Sequence, residues 1–137
     1  MPTTGSGKGM DSFREIMAAG RASPSFCTAN PLVLRAVMAA CRRRGLPALV
    51  EATANQVNQY GGYTGMVPEA FAAMTRRLAR DAGLAEGMLI LGGDHLGPLP
   101  WQREHEAAAM AKAEALVAAY AAAGFCKLHL DTSMALG

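Results

Sequence analysis

The sequence has few cysteines and no long apolar run. Three cysteines occur in 137 residues, and their spacing fits neither a zinc-binding motif nor a disulfide framework: Cys27, Cys41 and Cys126. We expect free, reduced and mostly buried thiols. No apolar run approaches the roughly 18 residues that a membrane span requires, and the N-terminus lacks the hydrophobic segment of a signal peptide. These absences predict a cytoplasmic chain with no membrane partner.

An excess of charge of one sign is also missing. The 13 basic and 11 acidic residues leave a net charge of +2, and the basic residues are dispersed along the chain. Surfaces that bind nucleic acid concentrate lysine and arginine, so the sequence argues against a nucleic-acid partner. Hydrophobic residues make up 51% of the chain, which is enough to bury the core of one modest domain.

Short apolar segments alternate with amphipathic helical segments. The predicted strands cover residues 25–28, 46–50, 88–91 and 125–130, and the predicted helices begin near Asp11, Pro31, Pro68 and Trp101. Residues 1–12 predict a disordered tail because they are mainly small and polar, so the domain would span residues 13–137. Strand–helix alternation predicts a parallel sheet with right-handed crossovers.

Four strands are half the number in a (β/α)8 barrel, a fold that usually needs about 250 residues. We therefore predict an α/β fold that forms the N-terminal half of such a TIM barrel. Its fourth strand would leave an open edge, and edges of this kind favour pairing with another chain. Self-association through that edge is the expected consequence.

Polar residues follow the predicted strands, and active sites of parallel α/β folds gather at the carboxyl ends of strands. The pair Asp94-His95 follows the third strand and joins a proton-transfer group to a possible metal ligand. The alternative is a local turn in which Asp94 only bonds nearby backbone amides. Further polar residues come after the second and fourth strands: Glu51, Asn55, Gln56 and Asp131.

The fourth predicted strand alternates polar and apolar residues. Lys127, His129 and Asp131 fall on one face because successive side chains of a strand point to opposite faces. A polar row that points into a barrel lumen would be functional, whereas a polar row on an uncovered edge would not.

Longer motifs carry a resemblance to a known family. They are, in order, residues 49–53 (LVEAT), 55–66 (NQVNQYGGYTGM), 91–98 (LGGDHLGP), 101–102 (WQ), and, within 124–131, Gly124-Phe125, Lys127 and His129-Leu130-Asp131. In this combination the chain resembles the Z-type subunits of D-tagatose-1,6-bisphosphate aldolase, the GatZ/KbaZ-like family, from about Ser25 onwards.

The resemblance implies a function in sugar catabolism of the tagatose/galactitol type. The family resembles class II aldolases in its (β/α)8 fold, and its Z chains are accessory: they support the activity and stability of a separate catalytic Y-type chain. This chain would then be a truncated accessory subunit with a Y-type chain as its partner. Two alternatives stay open: a metal-dependent ketose or uronate epimerase or aldolase-like enzyme, and the non-functional remnant of a truncated gene.

The resemblance also implies roles for individual residues. Asp94 would be the catalytic acid/base and His95 a zinc ligand, while four residues would bind substrate at the same mouth: Glu51, Asn55, Gln56 and Asp131. A catalytic zinc site needs about three protein ligands, and the other histidine ligands of class II aldolases lie on later strands. His129 is the local candidate for a further zinc ligand, provided that it reaches His95 from the next strand. We therefore expect no tight Zn²⁺ binding by this chain alone.

Overall fold

Four parallel strands form one sheet in a computed structural model that describes residues 7–85 and 87–133. Each strand pairs with the next strand along the chain, so the spatial order equals the sequence order. The strands are β1 (Ser25–Cys27), β2 (Ala48–Thr53), β3 (Leu89–Leu96) and β4 (Lys127–Leu130). This order is that of consecutive strands in a parallel barrel.

Helices alternate with these strands. They are α1 (Gly7–Ala18), α2 (Pro31–Arg44), α3 (Pro68–Asp81) and α4 (Glu106–Ala122), and two short 3-10 helices cover Gly62–Thr64 and Leu99–Trp101. Three of the helices, α2 to α4, connect successive strands. The predicted fold class, an α/β fold that forms part of a (β/α)8 barrel, is confirmed.

The ends of α2 show how the sequence sets a helix boundary. The Asn30 side chain accepts hydrogen bonds from the backbone N–H groups of Leu32 and Val33, at 2.9 and 3.4 Å, and Pro31 occupies the first helical position. Gly45 ends the helix with φ = 60°, a conformation that glycine adopts at little cost. The start at Pro31 is the one that the sequence predicts.

The core lies between the sheet and helices α2 to α4. Side chains on one face of the strands, including Val50, Ala52 and Leu91, pack with fully buried helix residues such as Phe71 and Tyr120. Because side chains alternate along a strand, Glu51 and its neighbours in register lie on the opposite face of the sheet. We call that opposite face the inner face.

Several boundaries differ from the predicted ones. Helix α1 begins at Gly7, inside the predicted disordered tail of residues 1–12, because its Ile16 is buried and the helix contacts β3; residues 1–6 lie outside the described residues. Helix α4 begins at Glu106 instead of Trp101, since His105 caps it: Nδ1 of His105 accepts a hydrogen bond from the N–H of Ala107 at 3.3 Å.

The thiols are free, as predicted, but they are not mostly buried. Cys41 is buried in α2, whereas Cys27 and Cys126 are exposed. The reason is their position, because Cys27 ends β1 and Cys126 immediately precedes β4, the two flanking strands of the described sheet. Within the described ranges, no helix has the length and apolar character needed to cross a bilayer.

Tyr120 fixes the backbone at the carboxyl end of β2. Its side chain is fully buried, and its hydroxyl donates to the carbonyl oxygen of Val57 at 2.9 Å. Burial raises the pKa of Tyr120, so the phenol stays protonated and remains a donor. The segment that follows β2 is therefore attached to α4 by a buried hydrogen bond.

We expect Tyr120→Phe to lower the free energy of unfolding by about 1–2 kcal/mol, because a buried carbonyl loses its donor. Urea denaturation with an unchanged m-value measures the difference. Tyr63→Phe is the matched control, since the Tyr63 side chain is 74% exposed and should change stability by less than about 0.5 kcal/mol. Equal effects of the two substitutions would contradict the anchoring role.

Candidate functional site at the carboxyl end of the sheet

Three side chains that can bind a metal ion or move a proton meet at the carboxyl ends of β3 and β4. The Asp94 carboxylate lies 3.1 Å from Nδ1 of His95 and 2.9 Å from Nδ1 of His129. One donor atom from each residue falls within 4.8 Å of the others. His129 was a candidate ligand only if it reached His95 from the next strand. It does, because the centroids of the two imidazole rings lie 4.7 Å apart.

An irregularity in β3 brings Asp94 and His95 together. In a regular strand these successive side chains would point to opposite faces of the sheet. The pairing of β3 with β4 shifts register between Gly93 and Leu96, and His95 has φ = 48°, the positive φ of a left-handed conformation. Bulges and positive φ values of this kind re-aim side chains and are concentrated at functional sites.

The direction of the hydrogen bonds in the cluster follows from the charge on Asp94. Partial burial raises the pKa of Asp94, but hydrogen bonds from His129 and His95 outweigh that effect and hold the pKa below its usual value. An ionised carboxylate only accepts hydrogen bonds, so Nδ1–H of each imidazole donates to it. In the tautomer that carries Nδ1–H, Nε2 is the nitrogen whose lone pair can bind a metal ion.

The donor set fits a divalent metal ion such as Zn²⁺. Catalytic zinc sites use about three protein ligands drawn from histidine and carboxylate, and keep one position open. Asp94, His95 and His129 provide two imidazoles and one carboxylate, and all three remain partly accessible, with side-chain exposures of 20%, 57% and 46%. Alternatively, Asp94 holds the Nδ1–H of each imidazole and orients it, a recurrent feature of metal sites, and the two histidines alone are then ligands.

A charged pair lies one layer below this cluster on the inner face. The register aligns Cys27, Glu51, Gly92 and Lys127 across the four strands. Nζ of Lys127 lies 2.5 Å from Oε1 of Glu51, and the Ser25 hydroxyl donates to Oε2 of Glu51. Glu51 is only 3% exposed; Oε2 accepts the Ser25 hydrogen bond, whereas Oε1 has the Lys127 ion pair but no hydrogen bond of regular geometry.

The two glycines before Asp94 make room for this packing. A β-carbon at Gly92 would lie 2.7 Å from Oε1 of Glu51, and one at Gly93 would lie 2.5 Å from the Leu96 side chain. These separations are shorter than any van der Waals contact between such atoms. The Gly92-Gly93 sequence is therefore required by the buried ion pair on one face and by the core on the other.

Cys27 belongs to the same inner face. Partial desolvation of the thiol, together with the Asp94 and Glu51 carboxylates, raises the pKa of Cys27 to about 11, so the thiol is protonated at neutral pH. Its Sγ donates to Oε1 of Gln56 at 3.5 Å, and the same oxygen accepts the N–H of Thr53 at 2.8 Å. Gln56 therefore braces the end of β2.

The glycine-rich segment after β2 is a braced loop. Asn58 is 5% exposed, and its carboxamide bonds the Ala54 carbonyl and the N–H groups of Tyr60 and Gly62. Gly62 has φ = 55°, and a β-carbon there would lie 2.5 Å from the Gln56 carbonyl oxygen. The motif at residues 55–66 thus encodes a fixed backbone turn.

The four predicted substrate-binding residues fall in different environments. Glu51 is buried and paired, and Gln56 binds Cys27 and the β2 backbone. Asp131 accepts hydrogen bonds from the hydroxyl and N–H of Ser133, which are the main causes that lower its pKa. Asn55 is exposed. Their predicted role in substrate binding stays a prediction.

Asn55 lines an open cleft that also involves the segment after β3. The cleft has a volume of about 620 Å³, and the rest of its lining comes from the segment between β3 and α4, residues 99–104. We call it the Trp101 cleft, lined by Asn55, Leu99, Pro100, Trp101, Gln102, Arg103 and Glu104.

Sequence reasoning gave no role to Ser25 and placed Lys127 only in a polar row of the fourth strand, although both contact the buried Glu51 carboxylate. The available signal was alternation: polar residues at every second position of β1 and β4 indicate an inner face that is not purely hydrophobic. The pairing of those residues with Glu51 depends on strand register, which the pattern does not supply.

Comparisons with known proteins identify a matching family and similar relatives. A family model described as D-tagatose-1,6-bisphosphate aldolase subunit GatZ/KbaZ-like matches residues 14–137. D-tagatose 6-phosphate 4-epimerase from Agrobacterium fabrum is 47% identical over 131 residues, which cover 91% of this chain and 31% of that protein. D-tagatose-1,6-bisphosphate aldolase subunit GatZ from Escherichia coli is 53% identical over 110 residues, which cover 80% of this chain and 26% of that subunit.

A solved structure agrees with these relatives. The crystal structure of a probable tagatose 6 phosphate kinase from Sinorhizobium meliloti superposes with a TM-score of 0.80 at 54% sequence identity, over 83% of this chain and 30% of that chain. The chain therefore spans between a quarter and a third of the length of the proteins that it matches.

Proposed function

Because this chain belongs to the D-tagatose-1,6-bisphosphate aldolase subunit GatZ/KbaZ-like family, we propose that it is an accessory subunit of a class II D-tagatose-1,6-bisphosphate aldolase. In this role it supports the activity and stability of a separate catalytic Y-type chain during tagatose/galactitol-type sugar catabolism. The observation that carries the proposal is the family match over residues 14–137, which contain every strand of the sheet. The proposal includes a cytoplasmic location, because a phosphorylated sugar does not cross a bilayer unaided.

The accessory role is tested by the lifetime of aldolase activity. A catalytic Y-type subunit is incubated with and without this chain, and cleavage of D-tagatose 1,6-bisphosphate is followed over time. We expect the activity to decay more slowly when the chain is present. A full-length GatZ relative serves as the positive control. If that relative prolongs the activity and this chain does not, the accessory role is refuted and the remnant alternative is favoured.

A second candidate function, metal-dependent 4-epimerisation of a tagatose phosphate, is supported by two observations. The Asp94, His95 and His129 cluster unites a proton-transfer group with potential metal ligands, and a relative named as a D-tagatose 6-phosphate 4-epimerase is 47% identical over 91% of this chain. Bound divalent metal would polarise the ketose carbonyl as a Lewis acid.

The 4-epimerisation shares a chemical step with the aldol cleavage that a catalytic Y-type chain performs. In aldol cleavage of a ketose, the hydroxyl on C4 loses its proton, the C3–C4 bond breaks, and its electron pair moves towards the C2 carbonyl. Recombination on the other face of the C4 aldehyde would give the 4-epimer. Asp94 is the carboxylate of the cluster and lies within hydrogen-bond distance of both imidazoles, and we propose that it accepts the C4 hydroxyl proton and returns it.

Epimerisation is tested with D-tagatose 6-phosphate and added Zn²⁺ or Co²⁺. We expect NMR spectroscopy to show formation of the 4-epimer, and Asp94→Asn to abolish it because an amide cannot take up the proton. His105→Ala is the control, since His105 caps α4 and lies outside the cluster. Epimer formation that survives Asp94→Asn would rule out this mechanism.

A further inference from the structure

The Trp101 cleft has an unbalanced positive charge. Arg103 and Glu104 both line it, but Nζ of Lys112 lies 2.6 Å from each carboxylate oxygen of Glu104. Within residues 7–85 and 87–133, no carboxylate forms a salt bridge with Arg103. The Arg103 guanidinium is therefore the uncompensated charge of the cleft.

Hydrogen-bond donors of two carboxamides and the apolar ring of Trp101 also line the cleft. The exposed side chains of Asn55 and Gln102 line it, and each carboxamide offers an NH₂ group. Trp101 is 9% exposed, and the Tyr60 ring packs edge-on against its indole with 6.0 Å between centroids. The cleft therefore combines a guanidinium fork and two amides with an immobile apolar surface.

The cleft opens on the same edge of the sheet as the Asp94 cluster. Asn55 comes two residues after Thr53, and Thr53 is the register partner of Asp94 in the pairing of β2 with β3. Leu99 begins the other side of the cleft, three residues after β3 ends at Leu96. The cleft and the cluster therefore both lie after the carboxyl ends of β2 and β3.

We infer that the Trp101 cleft binds the phosphoryl group of the sugar phosphate, with Arg103 as the residue that recognises it. The planar guanidinium donates two parallel hydrogen bonds to phosphate oxygens, a geometry that lysine cannot reproduce. The carboxamides of Asn55 and Gln102 add donors, and the Trp101 ring packs against the carbon chain. The identity of the ligand rests on the second candidate function, 4-epimerisation of a tagatose phosphate, whereas the anion site itself rests on the cleft.

The test measures the binding of inorganic phosphate and of D-tagatose 6-phosphate to the full chain by isothermal titration calorimetry. We expect Arg103→Gln to raise the Kd for both ligands at least about tenfold, because a charge-assisted bidentate contact is lost. Arg103→Lys should give an intermediate loss. The matched control is Arg77→Gln, an exposed arginine on α3 outside the cleft, which should leave both Kd values unchanged. Unphosphorylated D-tagatose reports any contribution of the sugar alone.

Three results would overturn the inference: no phosphate binding by the unmodified chain, unchanged Kd values in Arg103→Gln, or equal losses in Arg103→Gln and Arg77→Gln. Circular dichroism checks that each variant folds. Zn²⁺ uptake by Arg103→Gln separates this inference from the proposed function. If Arg103→Gln takes up Zn²⁺ normally and its Kd for phosphate is unchanged, only the inference about the cleft is refuted. Arg103-dependent phosphate binding without aldolase support or epimerisation refutes the proposed function alone.

Discussion

His129→Ala is expected to lower the affinity of the chain for Zn²⁺ by at least about 100-fold. Loss of a residue that only orients a zinc ligand typically costs about 10- to 100-fold in affinity, and removal of a ligand should cost more. In the structure, His129 contributes one of three donors that lie within 4.8 Å of each other. Without it, the two remaining donors fall short of the three that a catalytic zinc site uses.

The measurement is a competition titration of Zn²⁺ against a chromophoric chelator at neutral pH. His105→Ala is the matched control, because it removes an exposed histidine that caps α4 and lies outside the cluster. Asp94→Asn distinguishes two roles of the carboxylate. A loss of Zn²⁺ affinity as large as that of His129→Ala indicates a ligand, and a smaller loss indicates a residue that orients the imidazoles. If the control weakens Zn²⁺ binding as much as His129→Ala does, the assignment of the site is wrong.

Lys127→Met should lower the free energy of unfolding by about 3 kcal/mol. Removal of one partner from a buried ion pair typically costs about 3–5 kcal/mol, because the other charge is left without compensation. The Glu51 side chain is 4% exposed and the Lys127 side chain 35% exposed, so we expect the lower end of that range. The Ser25 hydroxyl still donates to Glu51 but carries no charge.

A second lysine–glutamate ion pair in the chain is more exposed and serves as the control. Nζ of Lys112 lies 2.6 Å from Oε1 of Glu104, but the Glu104 side chain is 39% exposed. Exposed pairs contribute about 0–1 kcal/mol, so Lys112→Met should change stability by less than about 1 kcal/mol in the same urea titration. The double variant Glu51→Met with Lys127→Met should recover most of the loss, since no buried charge remains. Equal destabilisation by the two lysine substitutions would show that burial of Glu51 does not set the cost.

Sequence reasoning was most successful where structure is decided locally. Asn30-Pro31 and Gly45 mark the two ends of α2 because capping and positive φ depend on a few adjacent residues. The alternation of strands and helices likewise predicted the order and direction of the sheet. Local signals failed at β3, which was predicted to end at Leu91 but extends to Leu96, because pairing with β2 and β4 continues through the two glycines.

The candidate site depends on interactions that no local pattern contains. Asp94-His95 stood out in the sequence, but their joint contact requires a register shift in β3 and the positive φ of His95. His129 lies 35 positions from Asp94 in the chain and bonds to it because β4 is the neighbour of β3. The pairing of Glu51 with Lys127 across Gly92 has the same origin. The sequence shows which residue types are present, whereas strand register decides which of them contact each other.

The sequential strand order has a consequence for exchange of backbone amides with deuterated solvent. In the described sheet β2 and β3 are paired along both sides, whereas β1 and β4 are paired along one side. Flanking strands open at a lower free energy than central ones, so the amides of β4 should exchange before those of β3. The cluster spans this boundary, because Asp94 and His95 belong to β3 and His129 belongs to β4. Transient opening of β4 would therefore separate His129 from the other two residues while the central strands stay closed, and a bound metal ion would slow the exchange of β4 selectively.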